Sequence, residues 1–166
     1  PQLRGSKGHG VSTEKNLPSA WSTKQGILWT TKLAGRGNSS PAVTSKRVDL
    51  TTQDDKNGLW IISIDRKNGK VLKSTKVGTG SLVAPGPANL YASKHNAATP
   101  SPIADETNIW AFFGSGLLVC VNAQTHKVQW QHDMVAKFGK YNVTFRSEST
   151  RLNSSHVVIT YAVFCL

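Results

Sequence analysis

The sequence repeats a strand–turn–strand unit, and this repeat governs most of what can be predicted about the fold. Residues 59–64 (LWIISI) form a largely apolar run rich in β-branched and aromatic types, which is typical of a strand covered on both faces. The sequence DRKNG at 65–69 then breaks the run, and Asn-Gly favours the positive φ angles that a hairpin turn needs. Residues 70–77 return as a more polar strand that suits an outer edge.

The same unit recurs in the second half of the chain. Residues 117–121 match the first apolar run, and the pattern continues through a turn at 122–127 into a strand at 128–134. His126 stands where the first copy has Gly69, so we expect that turn to hold a β-carbon at some backbone strain. A repeat of this length indicates the architecture more strongly than any single motif does.

The last strand of the unit occurs a third time, near the beginning of the chain. Residues 27–33 (ILWTTKL) align without gaps on residues 71–77. Trp29 and Trp130 occupy the same position of this strand, where the middle copy has Lys73. We therefore predict that residues 27–33 are the outer strand of a preceding unit.

Two further strands precede each apolar run. Pro41 and Pro102, each after a serine, open the first of them, and proline is tolerated there because its missing N–H need not pair. A second strand follows each proline after a short polar turn. The predicted strands are 41–44, 48–52, 59–65 and 70–77 in the first unit, and 102–104, 109–113, 117–122 and 127–134 in the second.

Four-stranded units repeating along a chain are typical of a β-propeller, in which radial sheets stack face to face. We predict an all-β, partial β-propeller of four-stranded antiparallel blades, about two and a quarter of them. The expected organisation is an irregular leading segment at 1–26, propeller at 27–145 with its blades at 41–77 and 102–134, and a separate tail at 146–166. A solenoid of β-coils is the rival architecture, but it would have shorter and more regular repeats.

The turn and the strand after it resemble the repeat of pyrroloquinoline-quinone-type (PQQ-like) propeller proteins. The shared pattern is an Asp-x-x-x-Gly-Lys turn followed by an apolar residue and, two positions on, a Trp. The turn from Asp65 to Lys70 matches it closely, and the turn from Asn122 to Lys127 matches it less well. Residues 3–22 also resemble the leading segment of bacterial secreted propellers of this class. The resemblance implies a closed ring, completed by the remaining blades of a longer chain.

The tail fits the repeat less well than the rest of the chain. The string STRLNSSH and the ending YAVFCL resemble the conceptual translation of a sequencing-library adapter. We therefore expect residues 146–166 to be non-native and the chain to be a fragment from an assembled, metagenomic read. The alternative is a third blade, in which Val157 follows Thr150 as Val48 follows Pro41.

The chain carries a net charge of +11, most of it in the first half. The basic residues there are scattered singly along strands and turns, whereas nucleic-acid binding favours clusters or interleaved exposed aromatic residues. We expect a solvated basic surface with weak attraction to polyanions and no specific nucleic-acid partner. The sequence also predicts no membrane span, since no apolar run is long enough.

One long connection is the best candidate for a binding surface. Residues 78–101 link the two blades, whereas residues 34–40 suffice for the preceding connection. The first blade also has extra residues around 53–57, and in an up-and-down blade these two loop types emerge on the same face. That face is our candidate partner-binding surface. Its candidate polar residues are Tyr91, Lys94, His95 and Asn96.

The sequence offers no recognisable catalytic or metal-binding set. The five histidines (His9, His95, His126, His132 and His156) include no pair at helical metal-ligand spacing. Residues 54–58 (DDKNG) have oxygen ligands and a glycine, as a calcium loop has, but lack its later glutamate. Cys120 lies within an apolar strand and is expected to behave as a small buried hydrophobe. We assign no catalytic, cofactor-binding or metal-binding residue.

Function is predicted from the resemblance alone. The expected role is a non-enzymatic scaffold or binding module of the bacterial cell envelope, periplasmic or secreted, like the propeller lipoproteins that assist assembly of outer-membrane β-barrels. The alternative is a fragment of a quinoprotein alcohol or sugar dehydrogenase, which alone would require PQQ and calcium. Such an enzyme would also need a central cofactor site with carboxylates, and none can be mapped onto this sequence.

Overall fold

The described residues fold into two four-stranded antiparallel sheets, so the all-β propeller-type prediction is confirmed. The computed structural model describes residues 10–11, 13, 15–16, 19–20, 22, 25–82 and 95–139. The first sheet contains, in spatial order, β1 (Ala42–Val43), β2 (Arg47–Gln53), β3 (Gly58–Asp65) and β4 (Val71–Thr79). The second contains β5 (Ile103–Ala104), β6 (Asn108–Phe112), β7 (Leu117–Asn122) and β8 (Val128–Asp133), and a short helix α1 (Met134–Phe138) follows. Within these described ranges no helix is both long and apolar enough to span a bilayer.

The two sheets repeat each other down to a shared irregularity in strand pairing. In the first sheet Ser63 pairs with Lys73 and Ile64 pairs with Val71, so that Leu72 is an extra residue on β4. In the second sheet the corresponding extra residue on β8 is Gln129. A β-bulge bends its strand and increases the local twist. The two outer strands therefore leave their turns with the same bend.

The β3–β4 turn is wider than the two-residue turn that its Asn-Gly sequence favours. The Asp65 Oδ1 atom accepts hydrogen bonds from the backbone N–H groups of Lys67 (2.8 Å) and Asn68 (3.1 Å). The Gly69 N–H closes the turn onto the Asp65 carbonyl at 2.9 Å. Gly69 has a φ of +73°, whereas Asn68 keeps a negative φ. Only one left-handed residue is needed here, because the aspartate side chain already orders the first half of the turn.

The second copy of this turn contains the backbone strain that the sequence predicts. Asn122 replaces the aspartate, and its Oδ1 accepts from the N–H groups of Gln124 (3.0 Å) and Thr125 (2.8 Å). His126 then adopts a φ of +56°, the left-handed region that favours glycine. A non-glycine residue is held there because the surrounding turn is otherwise the same as in the first sheet.

The sheets stack face to face around one apolar core. The core cluster includes Leu59, Ile61 and Val77 of the first blade and Ile109, Phe113, Val119 and Val121 of the second. On β3 the alternating Ile62 and Ile64 are also buried, so this strand is covered on both faces, as predicted. Each such side chain contributes roughly 1.5–3 kcal/mol relative to an exposed one. The sheets meet most closely at their short strands β1 and β5, as radial blades do at a common axis.

Residues 27–33 belong to no strand ladder within the described residues, although they were predicted to be an outer strand. Their contacts with the first blade nevertheless repeat those of β4 with the second blade. The Thr31 hydroxyl donates to the Gly69 carbonyl at 2.5 Å, and the Thr75 hydroxyl donates to the His126 carbonyl at 3.3 Å. Residues 27–33 therefore occupy the place of an outer strand toward the blade that follows them.

The same comparison explains why one turn has glycine and the other histidine. A β-carbon on Gly69 would lie 2.6 Å from the Cδ2 atom of Trp29, whose indole N–H donates to the Arg66 carbonyl at 2.9 Å. On β4 the position of Trp29 is taken by Lys73, whose charge acts on His126. A flexible lysine leaves room for an imidazole where a rigid indole does not.

Candidate functional site

The connections that lead into β1 and β5, together with the β2–β3 and β6–β7 connections, lie at one end of the blades, which we call the loop face. It consists of residues 34–40, 54–57, 78–82, 95–101 and 113–116. The extra residues of the first blade lengthen the β2–β3 hairpin toward it, since pairing there runs to Gln53 and Leu59. In the second blade the corresponding hairpin ends at Phe112 and Leu118. The two insertions that the sequence predicts on one face thus lie together in the described residues.

Gln53 joins these connections. Its Nε2 donates to the Asn57 Oδ1 atom at 2.8 Å and to the Gly80 carbonyl at 3.3 Å. Its Oε1 accepts from the Ala97 N–H at 2.8 Å, so both sides of the long connection attach to one side chain. The backbone of Gln53 also pairs with Arg36 in both directions. Sequence reasoning missed Gln53, because a glutamine at the end of a strand carries no signal of its own.

Of the four predicted partner-binding residues, only two fall within the described part of the chain. Tyr91 and Lys94 lie outside the described residues. Asn96 orders its own loop, since its Nδ2 donates to the Arg36 carbonyl (2.7 Å) and its Oδ1 accepts from the Ala98 N–H (3.0 Å). His95 is half-buried, and its Nδ1 atom has no hydrogen-bond partner among the described residues. The Nδ1 atom of His95 is itself buried, so it is enclosed by the loop face and not displayed on it.

Asp54 fixes the tip of the β2–β3 hairpin. Its carboxylate accepts from the N–H groups of Lys56 (2.8 Å) and Gly58 (2.7 Å) and from the Trp60 indole N–H (2.8 Å). The bond from Trp60, followed by the one from Gly58, holds the pKa of Asp54 below its usual value. Because both oxygens already bind protein donors, residues 54–58 form an ordered turn and not an open calcium loop.

A buried polar group ties the two blades together. The Arg47 Nε atom lies 3.4 Å from the Asp49 Oδ2 atom, and Asp49 Oδ1 accepts from the Ser63 hydroxyl at 2.6 Å. Arg47 also donates through Nη2 to the Asp105 carbonyl of the second blade at 2.9 Å. Burial raises the pKa of Asp49, although the bonds from Ser63 and Arg47 oppose that shift. The alternation of polar residues at 47, 49 and 51 on one face of β2 was the available signal for this group.

The remaining repeat residues have structural roles. Pro102 is buried, whereas Pro41 is exposed. The hydroxyl of Ser101, which precedes Pro102, accepts a hydrogen bond from the Ser40 N–H at 2.9 Å, and this bond joins the two equivalent strand starts. Trp130 lies on the outer strand β8 with its ring 5.4 Å from that of His132. Cys120 is buried and its thiol donates to Gln129 at 3.2 Å. Burial raises the pKa of Cys120 to about 11, so the thiol is unreactive at neutral pH.

The family of the chain follows from its sequence. The family model described as outer membrane protein assembly factor BamB matches residues 7–165. The chain belongs to this family. No curated protein matches the chain in sequence. The BamB family match includes residues 146–165, which the sequence predicts to be a non-native tail; these residues lie outside the described part, and that prediction stays a prediction.

Metal-ligating side chains stay apart from one another in the described part of this BamB-family chain. Within the described ranges no group of three or more His, Cys, Asp or Glu side chains could hold a metal ion. Asp54 is engaged by protein donors, and Asp49 is paired with Arg47 inside the blade interface. The chemistry that this region offers is hydrogen bonding and shape recognition on the loop face.

Proposed function

We propose that this chain is part of a non-enzymatic β-propeller scaffold that binds protein partners during outer-membrane protein assembly. The observation that carries the proposal is the match of the BamB family model to residues 7–165. Further blades of the same protein would complete the ring, and the cell envelope, periplasmic or secreted, would be its location. The partner surface in this proposal is the loop face.

The loop face supports this role by its rigidity. Gln53 bonds to Gly80 and Ala97, and Asn96 bonds to the Arg36 carbonyl, so the described ends of the long connection are fixed to neighbouring segments. A preorganised surface loses less conformational entropy on binding than a flexible one. His95, which is half-buried, lies beside Asn96 at the described end of the long connection.

Photo-crosslinking tests the proposed partner surface. A photoreactive phenylalanine analogue is placed at His95 or Lys56 on the loop face, and at Lys67 on the opposite end as the matched control. The expected result is crosslinks to envelope assembly proteins from the loop face and none from position 67. Equal crosslinking at all three positions, or crosslinks from position 67 alone, would reject the loop face as the partner surface.

A quinoprotein dehydrogenase is the second candidate, because the Asp65–Lys70 turn follows the PQQ-like repeat. Titration with PQQ and Ca²⁺ tests it directly. The scaffold proposal expects no saturable change in quinone absorbance and no dye-linked oxidation of alcohols or sugars. Saturable quinone binding with turnover would establish the enzyme instead.

A further inference from the structure

The end of the blades opposite the loop face carries an uneven charge. We call it the turn face, and it consists of the β1–β2 and β3–β4 turns of the first blade with the β5–β6 and β7–β8 turns of the second. On the first blade its exposed cations are Lys46, Arg66, Lys67 and Lys70, with Asp65 as the carboxylate among them. The second blade contributes Asp105, Glu106 and Lys127, and the Glu106 carboxylate reaches the β1–β2 turn, where it accepts from the Ser45 N–H (3.2 Å) and hydroxyl (2.8 Å). The turn face thus carries more cations than carboxylates, and most of its cations lie on the first blade.

Folding creates this cluster from residues that are separate in the sequence. The Arg66 N–H donates to the Lys46 carbonyl at 2.9 Å, and the Arg66 Nη1 atom donates to the Thr44 carbonyl at 3.3 Å. These bonds join the two turns of the first blade, so Lys46 stands next to the turn that carries Lys67 and Lys70. The weak attraction to polyanions that the sequence predicts stays a prediction.

The form of the cluster decides which anion it fits. Arg66 uses one Nη1 donor on the Thr44 carbonyl, and its remaining guanidinium donors can still meet an anionic oxygen. The other cations are lysines, which act as point charges on flexible stems. Trp29, the indole nearest to this turn, donates its N–H to the Arg66 carbonyl and packs one ring face on Gly69, so that face is not available for base stacking.

We propose that the turn face of the first blade docks on an anionic phospholipid surface. Lysine clusters of this size attract acidic headgroups without a defined pocket, and the attraction weakens as salt shortens the Debye length. The proposal depends on the charge distribution alone and would survive the failure of the proposed protein partner at the loop face. It also orients the molecule, since a turn face on the membrane leaves the loop face toward solution.

Vesicle flotation tests the proposal on the 166-residue chain. Vesicles of phosphatidylcholine with phosphatidylglycerol are compared with vesicles of phosphatidylcholine alone, at low and at moderate salt. We expect flotation only with the acidic vesicles and its loss with added salt. The triple variant K46Q/K67Q/K70Q is expected to weaken partitioning on the order of 100-fold, since each lysine contributes a several-fold factor.

A charge-matched pair of variants separates this surface from net charge. K46E/K67E/K70E changes the turn face, and R36E/K56E/K137E makes the same change in net charge on the loop face (Arg36 and Lys56) and on helix α1 (Lys137). The expected result is loss of flotation for the first and near wild-type flotation for the second, with both showing the β-sheet circular dichroism of the parent. Equal loss in both would overturn the proposal, as would strong retention on heparin without any binding to acidic vesicles.

Discussion

The Trp29–Gly69 contact gives a quantitative test of how blades join. In Gly69→Ala the new β-carbon would meet Trp29 ring atoms at 2.6–2.8 Å, on a backbone with φ of +73°. Left-handed backbone costs an L-residue roughly 1–2 kcal/mol, and losing the hydrogen bond from the Trp29 indole to the Arg66 carbonyl costs about 0.5–1.5 kcal/mol more. We expect the free energy of unfolding to fall by roughly 2–3 kcal/mol.

Urea denaturation followed by tryptophan fluorescence and by circular dichroism measures this change. His126→Ala is the matched control, because it alters the equivalent position of the second turn without adding a β-carbon or displacing an indole. We expect that control to change stability far less than Gly69→Ala does. His126→Gly is expected to stabilise the chain by about 1 kcal/mol, since glycine removes the left-handed strain.

A double-mutant cycle isolates the contact between the two residues. Trp29→Lys with Gly69→His copies the pair of Lys73 and His126 into the first junction. We expect the double variant to be less destabilised than the sum of the two single variants, by about 1 kcal/mol or more, as contacting residues usually show. Additive effects would refute the reasoning that the indole dictates glycine in the following turn.

Three further predictions concern the junction between the blades. Burial, followed by the charges of Arg47 and Lys73, lowers the pKa of His126 from 6.5, so the unfolded chain binds more protons than the folded chain. The free energy of unfolding should therefore fall as the pH drops through about 6.5. His126→Asn should remove that part of the pH dependence in urea titrations at several pH values. Thr75→Val removes the hydroxyl that donates to the His126 carbonyl and should cost about 0.5–1.5 kcal/mol in the same assay, with Thr31→Val giving a similar loss at the first junction. Arg47→Met leaves Asp49 buried without its partner and should cost about 3–5 kcal/mol by urea denaturation, whereas a cost below 1 kcal/mol would show that the pair does not hold the blades together.

The strands were predictable because their signals are local and repeated. The apolar run of β3 and the Asp65 turn identify one hairpin, and the second copy confirms its bounds to within about two residues, the usual uncertainty of element ends. The strain at His126 was also predictable, since alignment with Gly69 requires a left-handed residue there. The number of left-handed residues was not predictable, because the Asp65 side chain orders the turn through hydrogen bonds that Asn-Gly statistics do not include.

The contacts between distant segments could not be predicted from one sequence. Gln53 joins the loop face through Asn57, Gly80 and Ala97, and none of these pairings has a spacing that reveals it. The cation cluster of the turn face depends in the same way on the bond from Arg66 to Lys46, which brings two turns together. Candidate residues chosen by their type alone therefore included Asn96, whose side chain is already used by its own loop.

The two ends of the blades are under different physical constraints, and this separates their roles. At the turn end, two features recur at equivalent positions of the junctions. They are the bulges, at Leu72 and Gln129, and the hydrogen bonds between blades, from Thr31 and Thr75. The stacking of one blade on the next therefore fixes the backbone there. Exposed lysines on such turns change the surface charge without disturbing any of these contacts. At the loop end the connections differ in length between junctions, since residues 34–40 form one and residues 78–101 form the next. The proposed partner surface therefore uses the insertions of the loop end, and the proposed membrane surface uses the charge pattern of the turn end.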